Sequence, residues 1–104
     1  HWNARFYTRA FQTASERSFV LGGHDNPGSL GIAVRLLRFQ RELLGAAPVE
    51  VRSMRLADGR FPGWTLHVLS SDGILSATAV EKPPAPILGL PAVPESLVAD
   101  ALPR

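Results

Sequence analysis

A chain of 104 residues is enough for one domain, since domains mostly hold about 100–150 residues and so short a chain builds only a modest core. Its 45% hydrophobic and 19% charged residues suit a globular protein with apolar surface left for a subunit contact, and the lack of cysteine excludes a disulfide framework, a thiolate metal site and a cysteine nucleophile, which fits a cytoplasmic location. Net charge is +2, with Lys82 the single lysine among scattered arginines, so no basic arm of the nucleic-acid-binding kind is present.

Residues 3–21 read as one amphipathic helix. Phe6, Tyr7, Ala10, Phe11 and Ala14 recur at steps of one, three and four and draw an apolar stripe, with Arg5, Arg9, Gln12, Glu16 and Arg17 elsewhere. Asn3 suits the N-cap, and Gly22-Gly23 is a stop. The next six residues, His24 to Ser29, are a loop by composition. His24 and Asp25 have no third ligand at a useful spacing, so they read as a polar turn and no metal site is expected.

Four strands follow. Leu30, Ile32, Val34 and Leu36 alternate with their neighbours in a pattern that continues toward Phe39. Val49, Val51 and Ser53 alternate with Glu50 and Arg52, and the phase slips at Met54, which predicts a bulge there. Asp58-Gly59 marks a turn lengthened by Pro62 and Gly63, and Trp64, Leu66 and Val68 then alternate with Thr65, His67 and Leu69. After the Ser71-Asp72-Gly73 turn, residues 74–80 are apolar or small on both faces, the mark of a strand covered on both sides. Six of the nine prolines fall from Pro83 to Pro103, so this stretch cannot be a central strand. Pro94 and Glu95 followed by Ser96 to Leu102 predict a short terminal helix. The organisation is therefore a domain over residues 1–82 and a Pro-rich tail over 83–104. One helix and four strands leave a sheet face or an edge to be covered, which points to a dimer.

Three motifs carry a resemblance. The opening His1-Trp2-Asn3-Ala4-Arg5-Phe6-Tyr7-Thr8-Arg9-Ala10-Phe11 resembles the His-x-Asn-x-x-x-Tyr-x-x-x-Phe start of the central helix in hotdog-fold acyl-CoA thioesterases of the 4-hydroxybenzoyl-CoA thioesterase-like group. Phe39-Gln40-Arg41-Glu42-Leu43-Leu44-Gly45 is similar to that group's aromatic-x-Arg-Glu-Leu-x-x-Gly segment, although Ala46-Ala47-Pro48-Val49 stands where the group has Asp-x-Val. Asp72-Gly73 with Ile74 to Ala79 resembles the last strand of that group. The resemblance covers roughly residues 3–81, in the right order. It implies an α+β hotdog fold: one long central helix wrapped by an antiparallel sheet, whose first strand would precede His1 and is missing from this chain. The family's acidic or amide side chain before the histidine would also lie upstream.

The function implied is hydrolysis of a thioester of coenzyme A or of an acyl carrier protein by activated water, without cofactor or metal. The helix start, with unpaired N–H groups at the positive end of the dipole, would polarise the carbonyl. His1 would orient water or act as base, against a reading as a terminal residue without a role. Asn3 would face the thioester, cap the helix, or do both. Trp2 and Tyr7 would bind substrate, with Tyr7 also readable as plain core. Arg38 and Arg41, flanking Phe39, would hold the coenzyme A phosphates or serve as surface charge. Glu16 corresponds in position to the carboxylate of another branch of the fold, but here reads as a solvated charge. The alternative is a non-catalytic hotdog domain that binds acyl ligands or serves in assembly as a homodimer or homotetramer. No stretch approaches the roughly 20 apolar residues of a membrane span, and neither a membrane nor a nucleic acid is expected as partner.

Overall fold

The computed structural model describes residues 4–21, 34–39 and 48–103. Helix α1 spans Ala4–Leu21, close to the range its periodicity predicts. Among its described side chains the buried ones are Tyr7, Phe11, Ala14, Ser15 and Ser18, spaced as one face of a helix with about 3.6 residues per turn. The apolar stripe thus continues through two serines that a count of hydrophobic residues passes over. Ser18 Oγ donates to the Ala14 carbonyl at 2.8 Å, and Ser15 Oγ lies 2.9 Å from the Phe11 carbonyl, which lets a short polar side chain sit in a buried helix face. The Phe6 side chain, the expected Gly22-Gly23 stop, the loop and the first residues of the expected first strand lie outside the described residues.

The strands are β1 (Val34–Phe39), β2 (Val49–Leu56), β3 (Thr65–Ser71), β4 (Ile74–Lys82) and β5 (Ala92–Val93). They form one sheet in the order β1-β4-β3-β2-β5, antiparallel except for β5, which runs parallel to β2 beside Arg55 and Leu56. The chain is therefore mixed α+β. The fifth strand was not foreseen, because it comes from the Pro-rich tail. It consists of two residues between Pro91 and Pro94, short enough for the sheet edge that proline tolerates.

The bulge expected at Met54 is not there: the β2–β3 register runs unbroken from Val49↔Ser71 to Arg55↔Thr65. It lies one hairpin later. Asp72 (φ 53°) and Gly73 (φ 76°) make a two-residue turn, the type with both central residues left-handed that favours Asp-Gly. Ser71 pairs with Ile74 and Ser70 with Leu75, but Leu69 pairs with Ala77, which leaves Ser76 as the extra residue. Side chains alternate faces along a strand, so a shift of one residue exchanges the two faces from there on. Ala77, Ala79 and Glu81 consequently share the face of Leu69 and His67. Without the bulge, His67 would stand opposite Thr78, and Glu81 would point the other way.

Each face of the sheet has its own core. On one, Tyr7 and Phe11 of α1 pack with Leu69, Ala77 and Ala79. On the other, Leu56, Leu66 and Val80 pack with Ala101 and Leu102 of the tail. After Pro94 the tail forms α2 (Glu95–Val98) and a 3₁₀ turn (Ala99–Ala101). Three successive carbonyls there are held from the sheet. Arg38 Nη1 donates to Asp100 and Leu102 at 2.7 Å each, and Thr78 Oγ1 donates to Ala101 at 2.6 Å. Part of the face that the sequence leaves open for a second subunit is thus occupied by the chain's own tail. No helix among the described residues is long and apolar enough to cross a membrane.

Candidate functional site

Four polar side chains meet between α1 and the sheet. Ser53 on β2 and His67 on β3 stand directly opposite each other. Glu81 on β4 is opposite Thr65, one row further along the same face. Ser15 of α1 closes over them. His67 is 0% exposed, Glu81 1% and Ser15 2%, whereas Ser53 is only half-buried.

Ser53 Oγ lies 2.6 Å from His67 Nδ1, and His67 Nε2 lies 2.8 Å from Glu81 Oε1. Ser15 Oγ donates to the same Glu81 oxygen and sits 3.2 Å from Nε2. The Phe11 ring stacks near the imidazole at a centroid distance of 6.3 Å and an interplanar angle of 25°. Burying a carboxylate costs several kcal/mol unless charge-assisted hydrogen bonds offset it, and here two donors converge on one oxygen. An ionised Glu81 keeps a proton on Nε2. A neutral imidazole then has Nδ1 as acceptor, and the Ser53 hydroxyl is the donor that faces it. The arrangement can carry the Ser53 proton to the ring while the carboxylate steadies the charge that results.

The open side of Ser53 borders a cavity of about 250 Å³, shared with Ala14, Arg17, Ser18, Leu90 and Pro91. Among the described residues that line it, Arg17 is the only charged one. Arg17 and Val51 also line an adjoining groove of about 480 Å³ between α1 and β2, with Arg9, Thr13, Val49 and Glu50.

The residues expected from the sequence lie elsewhere. His1, Trp2, Asn3 and Arg41 are outside the described residues. Tyr7 is buried in the α1-side core and meets Phe39 edge-on at 4.9 Å. Arg38 is on the opposite face, holding the tail, so the structure does not bring these two together. Glu16 is half-buried and accepts a bond from Gln12 Nε2 at 3.4 Å, outside the cluster. The sequence reading missed Ser15, His67 and Glu81 as site residues and treated Ser53 only as part of a strand. A signal was present for two of them: Ser15 and Ser53 occupy the apolar phase of their own elements, whereas His67 falls in the other phase of β3, with Thr65. Glu81 had none, because its face depends on the bulge. No family model matches the chain, nor does any curated protein or solved structure.

Proposed function

We propose that the chain is a hotdog-type domain that hydrolyses acyl thioesters of coenzyme A or of an acyl carrier protein, by activated water at the start of α1. The observation that carries this reading is α1 itself. It is an 18-residue helix on the His1-x-Asn3-x-x-x-Tyr7-x-x-x-Phe11 motif, and it lays its apolar stripe on a sheet whose antiparallel strands come from the chain that follows. The unpaired N–H groups at its start suit a carbonyl that becomes an oxyanion, with His1 and Asn3 to orient water and substrate. Arg9 and Arg17, exposed along the α1–β2 groove, supply charge for a phosphate-bearing carrier. The acid missing after Gly45 favours a second reading, an acyl-binding domain without turnover.

A second copy fits the outer edge of β2. From Val49 to Met54 that edge has no strand beside it among the described residues, and an open edge invites pairing.

Release of free coenzyme A, measured with thermal melts on Asn3→Ala and Tyr7→Phe, tests the proposal. Loss of the cap lowers stability by about 1 kcal/mol, and the proposal expects turnover to fall far more than that. Tyr7→Phe keeps the ring in its core, so a drop in turnover without unfolding would assign the hydroxyl to the site. An Asn3→Ala protein that melts early yet keeps full turnover would remove the reaction from the helix start.

A further inference from the structure

The helix-start reading makes no use of the Ser53–His67–Glu81 cluster. We infer that Ser53 is a nucleophile, activated by His67 and positioned through Glu81, which accepts small acyl groups from esters or thioesters as a covalent Ser53 ester. The inference stands apart from the helix start: from Ala4 to Ser15 is eleven residues, about 16 Å of helix at 1.5 Å per residue.

Three observations favour this over a cluster that merely ties the core together. First, the contacts allow the direction catalysis needs. With Nε2 donating its hydrogen bond to an ionised Glu81 at 2.8 Å, Nδ1 is left to accept from Ser53 at 2.6 Å. These are the roles of a serine–histidine–acid triad with the two ring nitrogens exchanged, and such triads are recognised by roles and geometry, not by chain order. Second, burial is graded along the line. Glu81 and His67 are sealed, whereas Ser53 is half-buried on a cavity wall. A core lock has no need to end on a cavity. Third, Arg17 lines the same cavity as Ser53, which offers a cation to a carbonyl oxygen that gains charge there.

The step balances without any co-reactant except water. Ser53 Oγ forms a bond to the acyl carbon while its proton passes to His67 Nδ1. The tetrahedral adduct collapses, the carbon–sulfur or carbon–oxygen bond breaks, and the Nδ1 proton leaves with the thiol or alcohol. Water then attacks the Ser53 ester, gives a proton to Nδ1 and releases the acid, with the proton returning to Ser53. A cavity of about 250 Å³ has the volume of about eight waters, which limits the acyl group to a few carbons. The groove beyond it, with Arg9 and Arg17, suits an anionic leaving group.

The test treats the full chain with a fluorophosphonate probe and with p-nitrophenyl acetate, and locates adducts by peptide mass spectrometry. We expect one adduct, on Ser53, and a burst of nitrophenol equal to the protein concentration. Ser53→Ala should abolish both while its melting curve stays cooperative. Glu81→Gln keeps the size of the side chain and should slow labelling at least 100-fold in protein shown to be folded, in line with the 10²–10⁴-fold contribution of general-base catalysis. Should that variant not fold, wild-type labelling and Ser53→Ala decide the matter alone. An unlabelled wild type, an adduct on Ser15, Ser18 or Ser70 instead, or an unchanged rate in folded Glu81→Gln would overturn the inference. The two proposals fail separately. Coenzyme A release that survives Ser53→Ala, with no adduct on Ser53, retires this inference and leaves the helix start. An adduct and acetate turnover without coenzyme A release do the reverse.

Discussion

Replacing Leu102 with alanine tests whether the tail belongs to the fold or only rests on it. Leu102 is 1% exposed and packs with Leu56, Leu66 and Val80 on the face away from α1. Buried Leu→Ala changes cost about 2–5 kcal/mol, and less where the surroundings can collapse into the space. A terminal segment laid on a sheet face relaxes more readily than a central strand, so about 3 kcal/mol is expected. Domains of this size have about 5–15 kcal/mol in all, and each kcal/mol lowers Tm by roughly 4–8 °C. Leu102→Ala should therefore melt roughly 12–24 °C early. Trp64 packs against the same cluster, and in a Trp2→Phe background it is the only tryptophan, so its fluorescence follows the site during urea and thermal unfolding. Leu97→Ala in the same tail is the control, because Leu97 is 77% exposed and should shift stability by less than about 0.5 kcal/mol. If Leu102→Ala matched Leu97→Ala, the tail would be outside the cooperative unit, and the second sheet face would have to be counted as uncovered.

Gly59 has φ +83°, and a Cβ built there would fall 1.7 Å from Glu95 Oε2. Gly59→Ala should cost roughly 1–3 kcal/mol through strain and displace Glu95, which accepts bonds from Arg60 N at 3.1 Å and Nε at 3.0 Å; an unchanged melting temperature would contradict this loop geometry. Sedimentation at micromolar concentration should show at least a dimer, and a compact monomer there would leave the β2 edge without its proposed partner.

How much of this was legible beforehand depends on the range of each interaction. The span of α1 and the Asp72-Gly73 turn are local matters of periodicity and left-handed φ, and both stood in the sequence. So did the covering of β4 on both faces, since Ala77 and Ala79 on one side and Val80 on the other are all small or apolar. Strand β5 was hidden because two residues between prolines give no periodic signal, and its pairing with Arg55 and Leu56 joins positions far apart in the chain. The phase slip read at Met54 was a real irregularity in hydrophobicity, but not one in register. The polar cluster was hidden for a related reason. Hydrophobic patterning scores Ser15 and Ser53 as interruptions and sets His67 in the polar phase of its strand, whereas burial turned all three toward one another. Of the residues expected to act, only Tyr7 and Arg38 fall within the described structure, one in the α1-side core and the other holding the tail.

The extra residue in β4 makes the hairpin's chemistry a matter of odd and even. Ser76 is taken up as a bulge between Leu75 and Ala77, so the residues from Ala77 to Lys82 keep the partners they would have in a regular strand one residue shorter. Deleting Ser76 would join Leu75 to Ala77 and still set Ala77 opposite Leu69 and Glu81 opposite Thr65, so Glu81 would stay on the face of His67 while the bulge disappeared. Loss of a second residue beside it would turn Glu81 away from His67 and Val80 toward the helix. The strand can therefore lose its one extra residue and keep the site, whereas any further change of length by one needs a new bulge to absorb it.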